Sequence, residues 1–319
     1  MHGRRNFLQS MAVGSTALAT PWLPGAVKAV GAVGAANIVA AASGPALGFS
    51  LYGMKSLPLD QALKVCAEIG YSHVEFSLNA GYPTEPAVFG ADARRLASAQ
   101  LRALKLGLPC LMVLMSLTAD EAAHAKALEM ISMAASLAKE LVNENPPILE
   151  TVVGGQPAKW ESQKAGMLSQ LQDWAAAAEK AGTVIAIKAH VGSAVNSPER
   201  LLWLLEEVKS PAIQAAYDYS HFELQGMDLE ESLRLLLPRT KFIHVKDSQG
   251  DAGKFRFLLP GEGRTDYVRY FSLLQSLGYA GPVCVEVSGQ VFSQAGYDPI
   301  AAAKSCWAVL SAAWQQARV

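Results

Sequence analysis

Charge is scarce in this 319-residue chain: 17% of the residues are charged against 51% hydrophobic, and the formal net charge is −1. No run of lysine or arginine breaks that pattern, so nucleic acid is not expected as a partner. The four cysteines, Cys66, Cys110, Cys284 and Cys306, lie far apart with no Cys-x-x-Cys spacing, which removes the usual signature of a zinc or dithiol site. Cys110 and Cys284 fall in apolar runs and are expected as small buried hydrophobes. No Gly-x-Gly-x-x-Gly follows the first strand-like run, so the phosphate-binding fingerprint of a doubly wound sheet is missing. What remains is globular, with enough apolar residues for a large core.

Residues 1–45 read as a leader outside the fold. Arg4-Arg5-Asn6-Phe7-Leu8 precedes an apolar run from Met11 to Ala19, and Lys28 is the only charge between Arg5 and Lys55. Pro21 and Pro24 interrupt the stretch, whereas a membrane span needs about 20 unbroken apolar residues. The pattern resembles a twin-arginine export signal, with cleavage after Ala17-Leu18-Ala19 or within Ala40-Ala41-Ala42; an uncleaved anchor is the alternative. The resemblance implies an exported, periplasmic protein with no stable membrane span in the mature chain.

From residue 46 onward, strand-like runs alternate eight times with helical patterns. The expected strands are 46–53, 73–78, 109–116, 148–155, 183–190, 213–220, 241–247 and 282–288. Helical periodicity covers Leu59–Ile69, Ala91–Leu106, Asp120–Val142, Ser162–Ala181, Pro198–Val208, Leu229–Leu237, Tyr267–Leu277 and Pro299–Ala313. Ser197-Pro198 and Asp298-Pro299 supply N-cap and first-turn proline signals, and Gly70, Gly107, Gly182 and Gly278 are expected as helix stops. Eight such units in residues 46–319 predict a single (β/α)8 TIM barrel in the α/β class, with no second domain.

Barrel chemistry sits at the C-terminal strand ends, and five of these ends are polar. They carry Glu75 and Ser77, Lys188 and His190, Asp218 and His221, His244 and Lys246-Asp247, and Glu286 and Ser288. Period-two alternation sends Lys188 and His190 to one face, and His244 and Lys246 to another. Charged groups gathered inside a barrel mouth are costly unless paired or metal-bound, so their convergence points to a site.

Asp218-Tyr-Ser-His221, His244-Val-Lys246-Asp247, Leu259-Pro-Gly-Glu-Gly263 and Glu286, in this order, make residues 46–315 resemble the xylose isomerase-like barrels of the sugar phosphate isomerase/epimerase family. The resemblance implies that Asp218, His244 and Glu286 are three of four ligands to a divalent ion, Mn, Mg, Co or Zn. It also implies that His221 holds substrate hydroxyls, while a carboxylate moves a proton through an ene-diolate. His190 matches the family histidine of strand five. The fourth ligand, a glutamate in the family, is Lys188 here. Asp218, Glu286 and an ammonium at 188 carry the same summed charge as three carboxylates with a divalent ion.

Three readings of Lys188 stay open. It is a structural ion-pair partner, or a neutral or displaced lysine beside a bound metal with His190 as replacement ligand, or the centre of a metal-free site in which it acts as proton carrier or Schiff-base nucleophile. The expected activity is a sugar isomerase or epimerase on a carbohydrate or keto-sugar, with Lys188, His190 and Glu286 handling protons and His221, Lys246 and Glu75 contacting substrate. A keto-sugar or keto-glycoside lyase, and a non-catalytic carbohydrate-binding barrel, are the alternatives. A homo-oligomer is compatible with all three. Glu150 is expected near the opposite, stability face. Trp160, Trp174, Trp203 and Trp307 are expected in helix packing. Gly261 and Gly263 read as a turn over the mouth, with a phosphate cradle as the other option.

Overall fold

A computed structural model describes residues 46–317; the leader expected at 1–45 lies outside them. The barrel strands are β1 (Leu47–Ser50), β2 (His73–Ser77), β3 (Gly107–Met112), β4 (Ile148–Val152), β5 (Ile185–Lys188), β6 (Ile213–Asp218) and β7 (Thr240–Val245). An antiparallel hairpin of β8 (Asp247–Asp251) and β9 (Lys254–Leu258) follows, and β10 (Val283–Val285) completes the barrel. All barrel pairings are parallel, and β10 closes the ring between β7 and β1, which leaves no open edge. This is the (β/α)8 barrel that the alternating pattern predicts.

The helices lie within a few residues of the periodic runs. Leu59–Ile69 and Pro198–Val208 coincide with them, and the last helix runs on to Ala317. Ser197 accepts the N–H of Arg200 at 3.4 Å, and Asp298 accepts those of Ile300 and Ala301, so both expected N-caps form. Gly70 and Gly182 end their helices with positive φ. Gly107 does not act as a stop, because it is the first residue of β3. The helix Ala91–Leu104 needs its left-handed cap at the very next position, so Lys105 adopts φ 55° there, at a cost of roughly 1–2 kcal/mol.

Buried apolar residues form three clusters, one of them Val191, Leu224 and Phe257 beside the mouth. The largest core lies between strands and helices and includes Trp174, fully buried, and Trp160, with Trp203 and Trp307 packed against it. A small cluster of Cys110, Phe242 and Cys284, with Ile148, is separate from that core. All four cysteines are buried and unpaired, as expected of small hydrophobes. Among the described residues no helix is long and apolar enough to cross a membrane.

Strand β7 ends at Val245, short of the expected 247, and the segment 247–258 forms the hairpin. Asp251 accepts the N–H groups of Gly253 and Lys254 and so nucleates the turn. This hairpin carries Phe257 to the mouth of the barrel. At the other extreme of packing, β1 and β2 approach so closely that a Cβ on Gly48 would stand 2.1 Å from the His73 ring. Gly48→Ala is therefore expected to lower unfolding stability by about 1–3 kcal/mol, read by urea titration. An unchanged midpoint would contradict that packing.

Candidate active site

Lys188 ends β5 and is 2% exposed. Its Nζ donates to His244 Nδ1 at 2.8 Å and to Glu286 Oε2 at 3.0 Å, and stands 3.2 Å from Glu150 Oε1 and 4.0 Å from Asp218 Oδ2. Burial opposes its charge, but Glu150, Glu286 and Asp218 more than offset this and hold its pKa well above the ordinary lysine value. Lys188 is thus an ammonium engaged on every side. A base or Schiff-base role would need the free amine, the form that these carboxylates disfavour.

Lys246 follows β7 and forms a second cationic centre. It donates to Asp218 Oδ2 and to Glu286 Oε2, the latter at 2.6 Å. Both ammonium groups thus meet on one oxygen of Glu286, and its Oε1 takes no hydrogen bond among the described residues. Burial works against ionisation of Glu286, yet Lys188 and Lys246 keep its pKa well below the usual carboxylate range. Asp218 is held low in the same way, against burial, chiefly by Lys246. An ammonium has three N–H donors, so two carboxylate contacts leave Lys246 one more to offer. It lies 5.0 Å from the centre of the Phe257 ring.

The histidines divide into two kinds. His244 is fully buried, with Nδ1 accepting from Lys188 and Nε2 at 2.9 Å from Glu75, which assigns the ring proton to Nε2. His190 and His221 line the cavity, with ring centres 4.2 Å apart and Phe257 against both. His190 Nδ1 accepts the N–H of Gly192, and His221 Nδ1 accepts that of Val191. Each therefore carries its proton on Nε2. His221 Nε2 is buried without a hydrogen-bond partner, 3.5 Å from Asp218. Burial, reinforced by neighbouring positive charge, lowers the His190 pKa to about 2 and the His221 pKa to about 4.

Two expected positions differ. Glu75 is fully buried at the far side of His244 and does not line the cavity, so it orients that imidazole and is out of reach of a ligand. Glu150 is not at the stability face. The β4 strand starts at Ile148, two residues before Glu150, and ends at Val152, which pairs with Lys188. Glu150 therefore points into the mouth one layer below Lys188 and lines the cavity. Burial raises its pKa although Lys188 pulls the other way. Register makes the difference: the apolar run 148–155 reads as strand throughout, but 153–155 are loop.

The cavity holds about 220 Å³ and is lined at depth by Glu150, Lys188, His190, His221, Lys246 and Glu286. That is smaller than the roughly 300–1,000 Å³ of drug-sized sites and suits a single sugar ring. The loop above it is a turn, as expected. Gly261 and Gly263 both donate their N–H groups, at 2.8 Å, to Asp247 Oδ2, so the amides that a phosphate would need already hold a carboxylate.

Asp218, His244 and Glu286 bring one ligand atom each to within 4.8 Å of one another, a set that is able to hold a divalent ion. As arranged, however, every one of these atoms faces an ammonium nitrogen: Lys188 on His244 and Glu286, Lys246 on Asp218 and Glu286. The donor set is right in kind, but the residues around it do not fit an added cation.

The profile of the xylose isomerase-like TIM barrel family matches residues 63–306. SgbU of Escherichia coli (strain K12), a candidate L-ribulose-5-phosphate 3-epimerase, is 28% identical over 176 residues, 53% of this chain and 60% of its own length. The inosose dehydratase of Geobacillus thermodenitrificans (strain NG80-2) is 30% identical over 125 residues, 34% of this chain and 42% of its own. The chain thus spans about half the length of these curated relatives. Among solved structures, the IOLI protein with a bound zinc atom superposes with a TM-score of 0.70 at 20% identity, over 84% of this chain and 99% of that one.

Because the pKa values of His190 and His221 are lowered, both rings are neutral above about pH 5, and each costs stability only as the pH falls from 6.5 toward its folded value. In an NMR titration their Cε1–H signals are expected to stay at the neutral position from about pH 5 to 8. A midpoint near 6.5 for either would contradict this burial.

Proposed function

The chain belongs to the xylose isomerase-like TIM barrel family, and on that footing we propose a sugar isomerase or epimerase that acts on an unphosphorylated carbohydrate or keto-sugar. The observation that carries the reading is the juxtaposition, in one ring-sized cavity, of the Glu286 and Glu150 carboxyls with the Lys246 ammonium and two imidazoles.

A carbonyl oxygen seated there accepts the remaining N–H of Lys246, beside the His221 ring that lines the same wall. Glu286, ionised and with Oε1 free, takes the proton from the neighbouring carbon, and the electron pair moves to the carbonyl oxygen as an ene-diolate. The ammonium stabilises the negative charge that forms. In isomerisation Glu286 returns the proton to the former carbonyl carbon, while the hydroxyl hydrogen passes from the oxygen that becomes the new carbonyl to the one that becomes the new hydroxyl; in epimerisation a proton from solvent reaches the opposite face of the same carbon and Glu286 releases its own to solvent. His190 Nε2–H orients a hydroxyl. Lys188 touches the catalytic carboxylate and fixes its charge.

No step here runs through a metal. The ion implied by the family would have Asp218, His244 and Glu286 as its ligands, but each of those atoms already faces an ammonium. Phosphate finds little to bind, since Lys188 and Lys246 are neutralised and no arginine lines the cavity among the described residues. Export through the leader read at 1–45 would place the enzyme in the periplasm, in keeping with an unphosphorylated substrate.

The test is solvent exchange: ketoses and keto-sugars incubated in D2O and followed by proton NMR. Deuterium is expected at the carbon beside the carbonyl. Lys246→Met and Glu286→Gln are each expected to slow its entry by about 10²–10³-fold while sugar binding persists. Release of an aglycone in the same assay would identify the lyase alternative. Binding without exchange in the parent protein would mean a carbohydrate-binding barrel and sink the enzymatic reading.

A further inference from the structure

We propose that the Lys188 ammonium is an internal cation that occupies the place of the family's divalent ion, with Lys246 paired beside it, and that Glu150 is the carboxylate that makes this exchange possible. The inference rests on the geometry of the polar mouth and is independent of the substrate reading above.

Position carries the first part. A cation bound by Asp218, His244 and Glu286 must lie where their ligand atoms converge, and these atoms stand within 4.8 Å of one another. Lys188 Nζ is at hydrogen-bond distance from two of the three and 4.0 Å from the third. Lys246 Nζ bridges the Asp218 and Glu286 oxygens from the other side. A divalent ion brought to the same focus would sit within a few ångströms of two positive charges, with its imidazole and carboxylate lone pairs already pointed at N–H donors.

The second part concerns charge. A lysine placed for a glutamate changes a buried site by two charge units, and a buried charge left unmatched is strongly destabilising. Glu150 answers this from the neighbouring strand, 3.2 Å from Lys188 Nζ and 1% exposed. It reaches the lysine from one layer below, where β5 presents only the small side chain of Ala186 opposite it. The site thus keeps the local balance of a carboxylate cage around a cation, with the cation covalently attached to the chain.

The experiment uses Mn²⁺ alone as probe, with EPR and calorimetry, on chelator-treated parent, Lys188→Glu and Lys188→Met. The parent is expected to leave the free Mn²⁺ signal undiminished and to show no rise in melting temperature with the metal. Lys188→Glu is expected to take up one equivalent at least about a hundred-fold more tightly than the parent and to be stabilised by it. Uptake by Lys188→Met as well would still place the ammonium in the cation's position. If Lys188→Glu does not fold when made without metal, refolding with Mn²⁺ but not with EDTA is the expected result, and failure in both overturns the proposal. One equivalent of Mn²⁺ bound as tightly by the parent as by Lys188→Glu also overturns it. Metal readouts need no substrate, so a failure here leaves the sugar reading standing, and the reverse.

Discussion

The buried ammonium of Lys188 is the interaction on which the mouth of this barrel depends. It draws Glu286, Glu150 and His244 onto one nitrogen at 3.2 Å or less. Removing one partner from such a cluster typically costs about 3–5 kcal/mol, because the others are left buried and unmatched. Each neighbouring property follows from it: the fixed tautomer of His244, the strong ionisation of Glu286, and the upright position of Glu150. Glu75 extends the chain of contacts below, so the set runs from the wet mouth into the barrel interior.

Around this charged centre the barrel uses neutral groups to meet a ligand. His190 and His221 are deprived of charge by burial and line the cavity, with Phe257 packed against both. Phe257 arrives on the hairpin, and Asp247 fastens the loop behind it by accepting from Gly261, Gly263 and Tyr267. Polyhydroxylated molecules suit such a surface: several oriented donors, one apolar face and fixed charges nearby. The same arrangement leaves phosphate without an uncommitted cation.

Much of the fold was legible because period-two and period-3.6 patterns alternate eight times, and the helix Pro198–Val208 carries its own start signal. The site was legible in part for a similar reason: polar residues that close apolar runs, as Lys188, Asp218 and His244 do, have few places to go except a barrel mouth. Glu150 escaped because an apolar run does not mark where strand gives way to loop, and a shift of a few residues moves a side chain from the rim to the interior. Glu75 escaped in the opposite sense, since alternation assigns a face but not a depth. The hairpin was hidden in a stretch whose register exists only through pairing of β8 with β9.

By itself, the sequence determined the barrel, the order of its polar strand ends and the presence of a lysine among them. These are local or periodic properties, written along the chain. Tertiary structure alone decided that this lysine is a fully engaged ammonium, that Lys246 joins it on a shared oxygen, and that Glu150 supplies the balancing charge. A pKa and a hydrogen-bond partner depend on distances between residues up to 169 positions apart in this site, and only closure of the barrel sets those distances.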